Sequence, residues 1–164
     1  MAQTADHKAD RSRLTRRGLG VLAAGGLVGG GVFAANWFNV GASLDGATLL
    51  SVQDAHDAAL SGAVVLVDIR RPDEWATTGI GEGAVPLDMR RDDFVTALSA
   101  LADGETAAPV ALICARGVRS KRLSGRLAAA GFTNIIDVPE GMLGSGAGPG
   151  WLRAGLPVVQ VETG

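Results

Sequence analysis

The chain is 164 residues long, 47% apolar and rich in glycine, which suits one globular domain with an appendage and is too apolar for a disordered chain. Its net charge of −2 hides an asymmetry: residues 1–17 carry five basic side chains against Asp6 and Asp10, and the remainder carries ten basic against fifteen acidic. An acidic body argues against a nucleic-acid partner, and a single cysteine, Cys114, excludes an internal disulfide and a zinc-ribbon site.

The first element is a basic run, "RSRLTRR", followed by an uncharged one. Gly18 to Phe38 spans 21 residues, about 31 Å as a helix and enough to cross a bilayer. Its seven glycines would weaken an ordinary core helix. Thr15 to Gly20, "TRRGLG", resembles the twin-arginine export signal of bacteria, with Leu19 at a position where leucine is usual and Gly20 where lysine is common. Val32-Phe33-Ala34 offers the small residues a signal peptidase reads, and Trp37 and Phe38 suit an uncleaved anchor at a membrane interface. Both alternatives put the following domain across the membrane. The expectation is an exported protein, periplasmic or anchored to the outer face of the bacterial inner membrane. Residues 1–38 are read as this appendage, 39–45 as a linker and 46–164 as the domain.

Within the domain, "ATLL" (47–50) reads as a strand, and Ser51 with Asp54 three residues on opens a helix through a capping-box-like start. "AVVLVDIR" (63–70) is β-branched and almost continuously apolar, as a strand covered on both faces must be. Pro72, Asp73 and Glu74 suit a first helical turn. A strand at 84–87, a helix at 92–102, a strand at 108–115, a helix from Ser120 to Ala130 stopped by Gly131, and a strand at 134–138 follow. A glycine-rich loop (141–150) then leads through Trp151 to "PVVQV". Trp75 and Trp151 read as core or pocket-wall residues. The alternation predicts an α/β fold, doubly wound, with about five mostly parallel strands and helices on both faces. Ligands of such sheets gather beyond the carboxyl ends of the strands, where Asp68, Arg70 and Cys114 fall.

The turn "CARGVRS" (114–120) joins a buried strand to a helix. Cysteine reacts as its thiolate. Here Gly117 permits the positive φ that lets backbone amides curl around an anion, and the following helix points its positive end at the loop. Arg116, Arg119, Lys121, Arg122 and Arg126 are half of the domain's basic residues, and no acid occurs between Cys114 and Asp137. A basic mouth on an acidic body suits an anionic substrate. A buried, inert thiol is the plainer reading of any lone cysteine; the glycine-and-arginine loop argues against it.

Cys114 to Ser120 resembles the active-site loop of the rhodanese family: cysteine, two variable residues, glycine, one variable residue, arginine, serine. "VDIRRPDEW" (67–75), "TGIGEGAVPL" (78–87), "GFTNIIDVPEGM" (131–142) and "GWLRAGLPV" (150–158) resemble further family segments in order. Ile80 stands for a common histidine, Glu82 for a proline and Glu140 for a glycine. The resemblance implies a sulfurtransferase with no cofactor and no metal. Cys114 would be the nucleophile and carry a persulfide. The amides of Ala115, Arg116, Gly117, Val118, Arg119 and Ser120 would hold it, Arg116 and Arg119 would attract a small anionic sulfur donor such as thiosulfate, and Asp68 and Arg70 would orient the loop from below. The acceptor would be cyanide, a thiol or a protein. A persulfide carrier near the membrane, or a non-catalytic binding module, is the alternative. A related phosphatase loop holds five residues between cysteine and arginine, whereas four separate Cys114 from Arg119. A cysteine hydrolase needs a histidine base; His7 lies in the appendage, and His56 reads as a solvated residue of the first helix.

Overall fold

The computed structural model describes residues 43–44 and 47–161. The signal or anchor expected over residues 1–38 lies outside them. Among the described residues no helix is long and apolar enough to cross a membrane.

Strand β1 (Ser43–Leu44) runs antiparallel to β2 (Ala47–Leu49). Helix α1 (Val52–Leu60), β3 (Val65–Asp68), α2 (Pro72–Thr78), β4 (Ile80–Gly81) and β5 (Ala84–Pro86) follow. Then come α3 (Phe94–Leu101), β6 (Val110–Ile113), α4 (Val118–Ala129), β7 (Ile135–Val138) and β8 (Val158–Val159). The main sheet has the order β1-β2-β7-β6-β3-β5, and its five strands from β2 to β5 are parallel. The fold is the α/β sheet that the alternation predicts.

β6 lies in the interior of this sheet, between β7 and β3, and all four of its residues are fully buried. Its period of two sends Val110 and Leu112 to one face, with Phe94 and Leu98 of α3 and Leu123 and Leu127 of α4. Ala111 and Ile113 face the other way, with Val52, Ala55 and Ala58 of α1, Met142 and Trp151. Covering on both faces is why this strand reads as an unbroken apolar run. Each fully buried aliphatic side chain contributes about 1.5–3 kcal/mol, so the strand that carries Cys114 is among the most firmly held.

The Ser51 hydroxyl accepts from the Asp54 amide at 3.1 Å, as the capping pattern predicts. At α2 the Glu74 carboxylate accepts from the Arg71 amide at 3.1 Å, satisfying a donor the helix itself leaves free. α3 is shorter than the 92–102 expected, because Asp92 and Asp93 turn ahead of it. α4 begins at Val118, two residues before the expected Ser120, because Gly117 in the left-handed region serves as its cap.

Two further differences lie outside the main sheet. β4 and β8 form a separate two-stranded antiparallel ribbon that periodicity does not reveal. His56 is buried rather than solvated: it packs edge-on against Trp151 with ring centroids 5.4 Å apart, and its Nε2 lies 3.0 Å from the Glu82 carboxylate. The glutamate that departs from the family pattern at position 82 is therefore this histidine's partner. Trp75 is a core residue, and so is Trp151, whose indole N–H donates to the Pro157 carbonyl at 2.8 Å.

Candidate active site

The parallel strands bring Asp68, Ile113 and Val138 into register at one edge of the sheet. Cys114 is the next residue after β6 and is 0% exposed. The chain after β7 fixes its backbone: the Met142 amide donates to the Cys114 carbonyl at 2.8 Å and the Leu143 amide to the Ala115 carbonyl at 2.9 Å. Gly141 makes that approach possible, since a Cβ there would lie 2.6 Å from the Ala115 carbonyl carbon and oxygen. Glu140, at the family's usual glycine, holds the same segment from behind. Its carboxylate accepts from the Val52 amide and the Gly150 amide, each at 3.1 Å, and so joins the start of α1 to the glycine-rich loop.

Residues 114–120 close into a ring. The Cys114 Sγ and the Ser120 Oγ are 3.6 Å apart, and the Ser120 hydroxyl donates to the Gly117 carbonyl at 3.0 Å. Gly117 turns the ring with φ 76°, and a Cβ there would collide with the Pro139 carbonyl oxygen. Among the described residues, none of the backbone amides from Ala115 to Ser120 donates to a protein acceptor. Such donors are normally paired when buried, so this run around a buried thiol is equipped to hold an anion. Gly117→Ala is expected to destabilise the fold by about 1–3 kcal/mol, the usual scale of stored backbone strain. It should also cost more activity than that loss of stability explains. Chemical denaturation combined with an activity assay on the folded protein checks both.

The site's cations are arranged differently from one another. Arg116 is exposed and donates to the Gly144 carbonyl at 3.2 Å. Arg119 is held by both oxygens of Glu74, at 2.8 and 2.6 Å. This bidentate hydrogen bonding holds the Glu74 carboxyl below its ordinary value and the Arg119 guanidinium above its own. Glu74 is a site residue that sequence reasoning assigns only to the start of a helix. No local pattern links it to a partner 45 positions away.

The sign of the pH dependence follows. Because the folded carboxyl is the stronger acid, the pair's stabilisation is complete above the ordinary value of 4.5 and is lost as pH falls from there through the lower folded value. Thermal melts of the wild type and Glu74→Gln should therefore differ at pH 6, and the difference should shrink as pH falls below 4.5.

Asp68 and Arg70 sit at the expected edge but make no hydrogen bond to residues 114–120. Both are fully buried. The Arg70 guanidinium donates to the Asp68 carboxylate at 2.7–3.0 Å, to the Thr78 hydroxyl at 2.9 Å and to the Gly79 carbonyl at 2.7 Å. The pair fixes the far end of α2, and α2 presents Glu74 to Arg119, so its influence on the loop is indirect. Asp137 is a second residue that sequence reasoning leaves unassigned. It is 5% exposed, its Oδ1 has no partner among the described residues, and burial pushes its carboxyl up while the Ser120 hydroxyl opposes the shift. A cavity of about 160 Å3 is lined by Arg70, Asp73, Glu74, Thr77, Thr78 and Leu143, of which Glu74 and Leu143 bond to the loop.

A family model described as "Rhodanese-like domain" matches residues 51–144. No curated protein matches the chain. Among solved structures, a polysulfide-sulfur transferase homodimer from Wolinella succinogenes is 24% identical with a TM-score of 0.54, over 71% of this chain and 81% of that one. A protein of unknown function from Rhodopseudomonas palustris, described as a possible tyrosine phosphatase, is 26% identical with a TM-score of 0.53, over 69% of this chain and 85% of that one. The rhodanese-like domain of an Anabaena protein is 17% identical with a TM-score of 0.54, over 72% of this chain and 81% of that one.

Proposed function

The chain belongs to the rhodanese-like domain family, and from that premise we propose that it is a sulfurtransferase working through a persulfide on Cys114. The observation that carries the reading is the closed ring of residues 114–120, in which a buried thiol is surrounded by amides with no protein acceptor. In the first step the Cys114 thiolate attacks the outer sulfur of thiosulfate. A new S–S bond forms, the donor's S–S bond breaks, and its electron pair leaves with sulfite, so the enzyme holds a persulfide anion. In the second step cyanide or a thiolate attacks the terminal sulfur and Cys114 leaves as thiolate. The persulfide would carry the transferable sulfur about 2 Å beyond the buried Sγ. The free amides stabilise its charge at no cost in reorganisation.

The basic and then apolar N-terminal segment supports an exported site of action. The Rhodopseudomonas neighbour's description suggests phosphate-ester chemistry as a rival. The four residues between Cys114 and Arg119 make a smaller ring than the five of the phosphatase loop, which favours a sulfur over a phosphoryl group. A dedicated carrier would use the same persulfide and differ only in its acceptor.

Thiocyanate formation from thiosulfate and cyanide tests the reading. Double-substitution kinetics with parallel reciprocal plots are expected, because sulfite leaves before cyanide reacts. Intersecting plots would contradict a covalent intermediate. Arg116→Gln should raise KM for thiosulfate with little change in kcat, by a margin that shrinks as salt rises. A salt-independent effect would point to loop distortion instead.

A further inference from the structure

α4 carries three cations that no acid of the described residues pairs with. Among the described residues, Arg70, Arg71, Arg90, Arg91 and Arg119 each pair with an acid, whereas Lys121, Arg122 and Arg126 have neither an ion pair nor a side-chain hydrogen bond. All three are exposed. The helix has no acid in its first turn, so Lys121 and Arg122 oppose its dipole rather than complement it. Arg126, in the last turn, complements the dipole; Lys121 and Arg122 do not, and the exposed row of all three suits an anion brought to it.

Size decides which anion. Val118, the first residue of α4, is 58% exposed beside the Cys114 ring. Arg122 and Arg126 lie about 6 and 12 Å further along the axis at 1.5 Å per residue. A small donor seated at Cys114 cannot also touch Arg126, and at physiological salt charges beyond about 8 Å are screened from it. A macromolecule can touch both. Beside Arg126 a groove of about 110 Å3 has a floor of Phe94, Leu123 and Leu127, a wall in Val95 that is 44% exposed, and Asp92 in its lining. The groove would take an apolar side chain flanked by acids.

We propose that the outer face of α4, from Val118 to Arg126, docks an acidic, apolar-anchored segment of a protein that presents a thiol to the Cys114 persulfide. The proposal rests on the sulfurtransferase reading and names the class of its acceptor.

Two short synthetic peptides serve as probes, one with glutamates and a leucine around a cysteine, the other with lysines for the glutamates. Affinity is read on the unloaded full chain by fluorescence anisotropy, with serine for the peptide cysteine. The acidic peptide should bind at least about tenfold more tightly, and the R122E/R126E variant should lose that preference. With Cys114 loaded by thiosulfate first, transfer to the acidic cysteine peptide should slow in the variant by a similar factor. Thiosulfate–cyanide turnover should fall by a clearly smaller factor than peptide transfer, because Arg126 lies beyond screening distance of a small donor at Cys114. Equal affinity for the two peptides would overturn the proposal. So would an equal loss of turnover with cyanide, which would make the face a steering field for small anions. Tighter, Arg122-dependent binding to phosphatidylglycerol-containing vesicles would overturn it in favour of a lipid surface. Failure of Cys114 to load, read by mass before any peptide is added, would count against the sulfurtransferase reading alone, and peptide affinity would still decide the docking face.

Discussion

Cys114→Ser is expected to abolish sulfur transfer, by about 10³-fold or more, while the protein stays folded. The activity loss is large because the nucleophile itself is removed: a serine hydroxyl is scarcely ionised at neutral pH and cannot carry a sulfane sulfur. The fold survives because the replacement changes one buried atom in a position that already faces a hydroxyl, that of Ser120 at 3.6 Å. The backbone around it is held independently, by the Met142 and Leu143 amides. Thiocyanate release and a thermal melt followed by circular dichroism measure the two halves. Residual turnover in a folded variant would remove Cys114 from the mechanism.

The largest effect on stability is expected from Arg70→Met. Arg70 and Asp68 are both fully buried, and the guanidinium also satisfies the Thr78 hydroxyl and the Gly79 carbonyl. Removing the cation leaves the Asp68 carboxylate charged, desolvated and without its strongest partner. Breaking a buried pair in this way costs about 3–5 kcal/mol. Pairing the change with Asp68→Asn should recover part of the loss, because no uncompensated charge then remains. Denaturant titration of the single and double variants measures this. A single variant destabilised by less than about 1 kcal/mol would show that the pair is not the anchor of α2 described above.

Much of this architecture is legible in the residues themselves, wherever the determining contacts are local. The β6 run and its glycine-arginine turn are of this kind. So are Ser51 with Asp54 and Pro72 at the start of α2, because strand burial, capping and turn geometry act over a few positions. The illegible parts depend on partners far apart in sequence. Glu74 meets Arg119, Glu140 meets the Val52 amide, and His56 is buried only because Trp151 and Glu82 come to it. β4 and β8 are two residues each, too short for any period to register. The early start of α4 hinges on one backbone angle at Gly117. Asp68 and Arg70 fall at the strand end by their position, but their bonding toward the end of α2 rather than the loop needs side-chain directions that a linear pattern does not contain.

The central claim is that Cys114 carries sulfur. Its most direct test is the intact mass of the reduced full chain before and after incubation with thiosulfate, with Cys114→Ser alongside. The account predicts a gain of one sulfur atom in the wild type alone, reversed by cyanide with release of thiocyanate. An unchanged mass in a folded protein with a free Cys114 thiol, under conditions where polysulfide also fails to load it, would contradict the persulfide mechanism.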